Sequence, residues 1–379
     1  MNNLNRYHIV TPMNYKTVLF PILYAIAAVV IISMVKSPGL AGERAGIIAM
    51  SQFEGHKPFQ YRVLIPATVR IIEFLTPAFI ENKVNQLAAD RVEKITESGL
   101  QGLSEDKARR LGLYGYRCVA YIILNWFALF LFLLTLRYLA LSVKAFSRLT
   151  CDLLPLGMIA VMPIFFDYGN FVYDFSHLFL FTLGLLMMYR ERWPAFIIIF
   201  VVALLNKETA VMLTVIFVFY FHSKIPRQMF LKLLVMQISI FFIIKLSLYF
   251  LFQSNPGGIV EWHLIHNIQQ MSRLTYYFQF ESIGKGLFSP FYIPIPVPHG
   301  LNLPMFVLVI ALAVYRWREK PAFLRISTSY FAISLILGFM FGIFCEWRSY
   351  YDALPIIYLL SALGVIKLIE NYRLNKIGT

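Results

Sequence analysis

Residues 116–142 read YRCVAYIILNWFALFLFLLTLRYLALS, a long and mostly apolar run. Between Arg117 and Arg137 this stretch carries no charged side chain. An α-helix needs about 20 consecutive, mostly apolar residues to cross the hydrocarbon core of a bilayer. Residues 116–142 therefore predict a transmembrane helix, and similar runs recur along the rest of the chain.

The composition of the whole chain is typical of a membrane protein. Of the 379 residues, 59% are hydrophobic and 14% are charged, and the mean hydropathy is +0.67. A soluble domain carries about 25% charged residues. The net charge of +14 is explained by short basic loops under the positive-inside rule, and no nucleic-acid-binding module is recognisable. We therefore expect the lipid bilayer as a partner and no nucleic acid.

Hydropathy and loop charge predict an all-α, polytopic transmembrane helix bundle of about ten spans. The predicted spans are residues 17–35, 116–142, 152–166, 171–189, 193–205, 209–221, 230–252, 304–314, 326–344 and 354–369. The first run is too long for a signal-peptide core, so it is interpreted as an uncleaved helix. The basic loops place both termini in the cytoplasm, and we expect a bacterial inner membrane.

The sequence predicts one integral membrane domain, residues 1–379, with two long outer loops, residues 36–115 and 253–303. In the first loop, residues 63–80 are apolar but contain Arg70 and Glu73. Two central charges would cost a spanning helix about 2.5–3.5 kcal/mol each. We therefore expect this segment to lie along the membrane interface, followed by a charged extramembrane helical segment.

The first outer loop contains GERAGIIAMSQFEGHKPFQYR, residues 42–62, which is rich in polar side chains. Glu43 and Glu54, with His56 nearby, are candidates for a general base at the membrane surface. Tyr61 and Arg62 would suit a phosphate, because a guanidinium donates two hydrogen bonds and keeps its charge. The alternatives are solvated loop charges and ordinary snorkelling or aromatic-belt residues.

The turn at residues 167–177 is the second polar cluster. Asp174 is expected about one turn inside the fourth span, with His177 on the same helix face because it lies three residues later. Together with Asp167 these side chains could bind a divalent cation or a hydroxyl-rich ligand. The alternative is an Asp–His pair at the start of a helix.

Two further clusters are expected on the same side of the membrane. Lys207 and Glu208 lie in a tight turn, which either binds a ligand or simply closes a hairpin. Glu346, Arg348 and Asp352 lie in the last outer turn, where Arg348 could bind phosphate or belong to an aromatic belt. Lys245, in the middle of a span, either pairs with a buried acid or snorkels.

The layout resembles the GT-C superfamily of membrane glycosyltransferases, which take a sugar from a polyprenyl-phosphate donor on the outer face. The segments that carry the resemblance are GERAG at residues 42–46, FQYRVLIP at 59–66, FDYGNFVYD at 166–174, NKET at 206–209 and EWRSYYDALP at 346–355. In that family the base is an acidic residue of the first outer loop, which corresponds to Glu43, with Glu54 second. This chain lacks the paired Asp-Asp that some members carry there.

The resemblance implies a hexosyl- or pentosyltransferase that acts on a polyprenyl-phosphate-linked sugar and a glycan, lipid or protein acceptor of the cell envelope. A flippase or transporter for lipid-linked glycans is the first alternative, but it predicts polar residues along a path through the membrane. An O-antigen-type polymerase is the second alternative, and a strongly basic outer loop would favour it. The crowding of polar residues on one face favours a surface active site.

Overall fold

The computed structural model describes residues 15–35, 40, 42–97, 105–166, 169–278, 280–282, 296–298, 302–344 and 346–377. Its helices are α1 (Tyr15–Met34), α2 (Ile47–Ser51), α3 (Leu64–Leu75), α4 (Ala78–Glu97), α5 (Glu105–Leu113), α6 (Gly115–Val143), α7 (Arg148–Leu153), α8 (Met158–Phe165), α9 (Asp174–Tyr189), α10 (Trp193–Asn206), α11 (Met212–Phe221), α12 (Arg227–Leu251), α13 (Leu264–Met271), α14 (Leu303–Val314), α15 (Ala322–Ser327), α16 (Ser329–Phe341) and α17 (Leu354–Ile377). Two short strands, β1 (Phe280–Ser282) and β2 (Pro296–Pro298), pair antiparallel.

Short 3₁₀ turns extend several of these helices into longer rods. They span Phe59–Tyr61, Leu154–Gly157, Glu208–Val211, Leu274–Phe278, Trp317–Glu319 and Trp347–Ala353. Proline and glycine occur in Leu154–Gly157, where α7 passes into α8, and 3₁₀ geometry is common at such helix ends. The turn Trp347–Ala353 leads directly into α17.

Five helical segments of the described chain are long and apolar enough to cross a membrane. They are Gly115–Val143, Arg148–Phe165, Arg227–Leu251, Ala322–Phe341 and Trp347–Lys376. Shorter apolar helices are Val18–Met34, Asp174–Tyr189, Trp193–Asn206, Glu208–Phe221 and Leu303–Val314. Apart from the β1–β2 pair, the described chain therefore has the helical, membrane-type architecture that the sequence predicts.

The centre of the bundle is the long helix α6, which packs against α1 on one side and α9 on another. Phe132 and Leu133 of α6 and Phe181 of α9 are fully buried in the main apolar core. Helix α12 lies at the periphery, because only 11% of its apolar 18-residue stretch is buried inside the protein. A peripheral apolar helix of this kind needs lipid against its outer face.

The loop predicted at residues 36–115 contains helices, as expected. In α3, Val69 is buried, whereas Phe74 and Leu75 are 88% and 73% exposed. The Arg70 and Glu73 side chains form an ion pair of 2.6 Å, and Glu73 also binds Arg117 of α6 at 2.7 Å. Helix α3 is therefore amphipathic, with its charges paired to each other and to α6, which suits a position along an interface.

Residues 253–256 are bound to residues 53–57 by backbone and side-chain hydrogen bonds. The Asn255 amide donates to the carbonyl oxygens of Phe53 and Gly55, at 2.8 and 2.9 Å. The Lys57 backbone N–H donates to the Pro256 carbonyl at 2.8 Å. Because these bonds are made close to residues 59–62, they help to fix the position of that turn at the end of the bundle.

Candidate functional site

Four polar segments meet at the end of the bundle where α9 begins and α10 ends. They are the turn that ends at Arg62, residues 171–177, residues 206–209 and residues 346–352. The ring of Tyr173 lies among them: the Arg62 guanidinium carbon is 4.0 Å and the Lys207 Nζ is 5.9 Å from its centroid. The sequence predicts these polar clusters on the same side of the membrane, and in the structure the four segments are in direct contact.

Arg62 and Glu208 form the central ion pair of the site. The Arg62 Nη2 donates to Glu208 Oε1 at 2.7 Å and Nε donates to Oε2 at 3.3 Å, in the two-bond arrangement that suits a guanidinium and a carboxylate. Burial by itself would lower the pKa of Arg62, but the Glu208 carboxylate raises it above its ordinary value. Arg62 is therefore held permanently charged.

Lys245 of α12 reaches the same carboxylate from the periphery. Its Nζ lies 3.6 Å from Glu208 Oε2 and 5.8 Å from the centroid of the Tyr61 ring. Of the two interpretations that the sequence left open, the structure supports pairing with an acid. Tyr61 itself is 7% exposed, and it packs with Leu248 and Phe252 in a small apolar cluster.

The turn Trp347–Ala353 contributes a second cation. The Arg348 Nη2 donates to Glu346 Oε2 at 2.6 Å, and its Nη1 lies 3.9 Å from Asp174 Oδ2. The guanidinium carbon is 4.1 Å from the centroid of the Phe171 ring, a cation–π arrangement. Arg348 thus connects the start of α9 to the turn before α17.

Asp174 is the first residue of α9, not a residue one turn inside the span as the sequence predicts. Its Oδ2 accepts a hydrogen bond from the Phe171 backbone N–H at 2.8 Å, and a carboxylate at a helix N-terminus is stabilised by the helix dipole. The Asp–His pair that the sequence left open as the alternative is formed by Asp352 and not by Asp174. The His177 Nε2 lies 3.0 Å from Asp352 Oδ1 and 3.2 Å from the Thr209 hydroxyl.

Lys207 lies between the two ion-pair groups and is 8% exposed. Its Nζ is 4.1 Å from the centroid of the Tyr351 ring. Burial lowers the pKa of Lys207 below its ordinary value, and the carboxylates of Asp352 and Asp174 oppose that shift only in part. The preceding residue, Asn206, donates to the Tyr173 carbonyl at 2.8 Å and so fixes the turn.

The remaining predicted residues lie outside this contact network. Glu43 and Glu54 are exposed and His56 is half-buried in the first outer loop, and no side-chain hydrogen bond or ion pair connects them to the described cations. The neighbouring Arg44 has its guanidinium carbon 5.9 Å from the centroid of the Phe59 ring. The guanidinium carbon of Arg62 lies 5.5 Å from the same centroid. Asp167 lies outside the described residues, and among those described no group of three His, Cys, Asp or Glu side chains is arranged to hold a metal ion.

Several residues of the site are not predicted from the sequence. Tyr173, Phe171 and Thr209 are apolar or weakly polar in sequence, so only their proximity to charged neighbours in the chain could have indicated them. Lys245 carried the clearest signal, because a lysine inside an apolar span is costly and marks function. Its partner could not be named before the helices were packed.

Comparison of the chain with protein-family models, with curated proteins and with solved structures finds no match.

Proposed function

We propose that the protein is a membrane glycosyltransferase that moves a sugar from a lipid-phosphate carrier to an acceptor of the cell envelope. The observation that carries the proposal is the convergence of Arg62, Lys207 and Arg348, from three separate segments, on one end of an apolar helix bundle. Buried cations beside a bilayer suit a substrate whose phosphate is attached to a lipid.

The cations of the site would act on the leaving group. When the bond between the sugar and the phosphate breaks, negative charge develops on the phosphate, and preorganised cations stabilise that charge most in a water-poor site. Arg62 suits this task because Glu208 holds it charged and fixed in orientation. The carboxylates of Glu346, Asp174 and Asp352 would accept hydrogen bonds from sugar hydroxyls.

The acceptor hydroxyl requires a base, for which Glu43 is our first candidate and Glu54 our second. The acids in the centre of the site already have partners: Glu208 with Arg62, Asp352 with His177, and Glu346 with Arg348. A carboxylate whose oxygens are already bound is less free to take the proton of an acceptor hydroxyl, so these acids make poor bases. Glu43 is exposed and is reached from the aqueous side, from which a glycan acceptor would come.

The proposal includes a membrane arrangement of about ten spans, with the site on the outer face and both termini in the cytoplasm. Five long and five shorter apolar helices support this number of spans. At the end of the bundle opposite the site, Arg190 donates to Ser142 at 3.0 Å and Lys224 lies 3.4 Å from the centroid of the Tyr220 ring. A basic end of this kind suits the cytoplasmic side of a bacterial inner membrane.

The test is a transfer assay with purified protein in nanodiscs. A panel of polyprenyl-phosphate hexoses and pentoses is supplied with and without a divalent cation, and release of the polyprenyl phosphate is followed. We expect release of the polyprenyl phosphate with at least one donor. Movement of lipid-linked glycan between leaflets without release of the carrier phosphate would contradict the proposal and favour a flippase.

A further inference from the structure

The charges of the candidate site are unevenly distributed, and the side nearest α12 is positive. There Arg62 and Lys245 share one carboxylate, that of Glu208, at 2.7 and 3.6 Å. We call these three residues the cationic half. On the other side Arg348 has two carboxylates, those of Glu346 at 2.6 Å and Asp174 at 3.9 Å. We call these three residues the acidic half.

Lys245 supplies the unbalanced charge of the cationic half. It lies six residues before the end of α12, which is about 9 Å along the axis at 1.5 Å per residue. The surrounding surface of this helix is apolar, since Phe242, Ile243 and Phe250 are 56%, 63% and 63% exposed. A charged lysine at this depth in an apolar helix is costly. Because Glu208 binds Arg62 more closely than Lys245, one positive charge of the cationic half has no close partner within it. An anion beside Lys245 would neutralise that charge.

Tyr61 provides a second, independent observation beside Lys245. Its side chain is buried at 7% exposure, and within the described structure its hydroxyl has no hydrogen-bond partner. A buried hydroxyl that lacks a partner is unfavourable. A ligand oxygen would satisfy it, and the Lys245 Nζ lies 5.8 Å from the centroid of the same ring.

We propose that Arg62, Lys245 and Tyr61 form a subsite for a lipid-borne phosphate that enters from the bilayer alongside α12. The exposed apolar side chains of α12 would then lie along the lipid chain, and the sugar would extend towards the acidic half. The inference rests on the proposed function and deepens it, because it specifies which end of the donor each half of the site binds. Arg348, already bound to two carboxylates, belongs to the sugar end.

The experiment measures binding of polyprenyl monophosphate, a probe without sugar, to the full-length protein in nanodiscs. Lys245→Met removes the charge, and Lys245→Arg retains it. Lys232→Met is the matched control, because Lys232 is an exposed residue of the same helix and lies more than three turns from Lys245. Inorganic phosphate is supplied as a competitor, to separate a lipid headgroup from a free anion.

We expect Lys245→Met to weaken binding of polyprenyl monophosphate by about tenfold, equivalent to about 1.4 kcal/mol. Lys245→Arg and Lys232→Met should bind as the wild type does, and inorganic phosphate should compete only weakly. Wild-type affinity in Lys245→Met would overturn the subsite. Equal binding of inorganic phosphate and of the lipid probe would overturn entry from the bilayer.

The design separates this subsite from the proposed function. If the wild type binds polyprenyl monophosphate through Lys245 but transfers no sugar from any donor, the function fails and the subsite stands. If sugar is transferred but Lys245→Met binds the probe normally, the function stands and the subsite fails. Should Lys245→Met not fold, Tyr61→Phe removes a single oxygen, and unchanged affinity in that variant would overturn the subsite.

Discussion

The Arg62 guanidinium binds the Glu208 carboxylate at 2.7 Å across 146 residues of sequence, and its central carbon lies 4.0 Å from the centroid of the Tyr173 ring. This pair joins the segment before α3 to the turn between α10 and α11. Because Tyr173 immediately precedes α9, one contact set fixes three segments of the chain. The geometry of the whole site therefore depends on this pair.

Removing Arg62 should destabilise the protein strongly. Arg62→Ala leaves the Glu208 carboxylate with only the more distant Lys245 as a partner, and breaking a mostly buried ion pair costs about 3–5 kcal/mol. Thermal unfolding of the purified protein in detergent measures the effect. Arg70→Ala is the control, because Arg70 is exposed and its pair with Glu73 is worth about 1 kcal/mol or less. Equal melting temperatures for the two variants would contradict the central role of the pair.

His177 should be energetically coupled to Asp352 and not to Asp174. The Nε2 of His177 lies 3.0 Å from Asp352 Oδ1, whereas Asp174 is engaged with the Phe171 N–H and Arg348. A double-mutant cycle of His177→Ala and Asp352→Asn should give a coupling energy of about 1–3 kcal/mol in unfolding experiments. The matched cycle with Asp174→Asn should give a value close to zero. The reverse order would support the Asp174–His177 pair, which the sequence leaves open as an alternative.

Replacing Glu43 should abolish transfer without affecting folding. Glu43→Gln keeps the size of an exposed side chain but cannot accept a proton, and loss of a general base lowers the rate by about 10²–10⁴-fold. The transfer assay with the active donor measures this, with thermal unfolding as the check on folding. Glu54→Gln, a matched change in the same loop, should retain activity. Loss of activity in Glu54→Gln instead would move the base to Glu54.

Binding of the lipid phosphate should weaken at alkaline pH because of Lys207. Burial lowers the pKa of Lys207. An ordinary lysine loses its charge near pH 10.4, so Lys207 loses the charge that attracts phosphate at a lower pH than this. Affinity for polyprenyl monophosphate should therefore fall as the pH rises through the lowered pKa. Lys207→Arg should flatten the profile over the same range, because arginine stays charged. A profile that is identical in both proteins would exclude Lys207 from phosphate binding.

Much of the architecture follows from the sequence because it depends on local properties. The length and apolarity of residues 116–142 predict a spanning helix, and α6 covers Gly115–Val143. The charges at Arg70 and Glu73 predict a segment that does not span, and α3 is amphipathic with that pair formed. For residues 253–303 the sequence predicts only a long loop, and the structure places α13 within it, because a short amphipathic helix gives a weak signal.

The class of protein and the positions of its polar clusters follow from the sequence, because helix length, hydropathy and charge are local properties of the chain. The pairing of the charged side chains depends on the tertiary structure: Glu208 pairs with Arg62 and Lys245, and His177 pairs with Asp352. Residues far apart in sequence become partners only when packed helices bring their ends together. In an apolar interior each charged side chain then pairs with a nearby opposite charge, because an unpaired buried charge costs more free energy than the conformational preferences of the local sequence can offset.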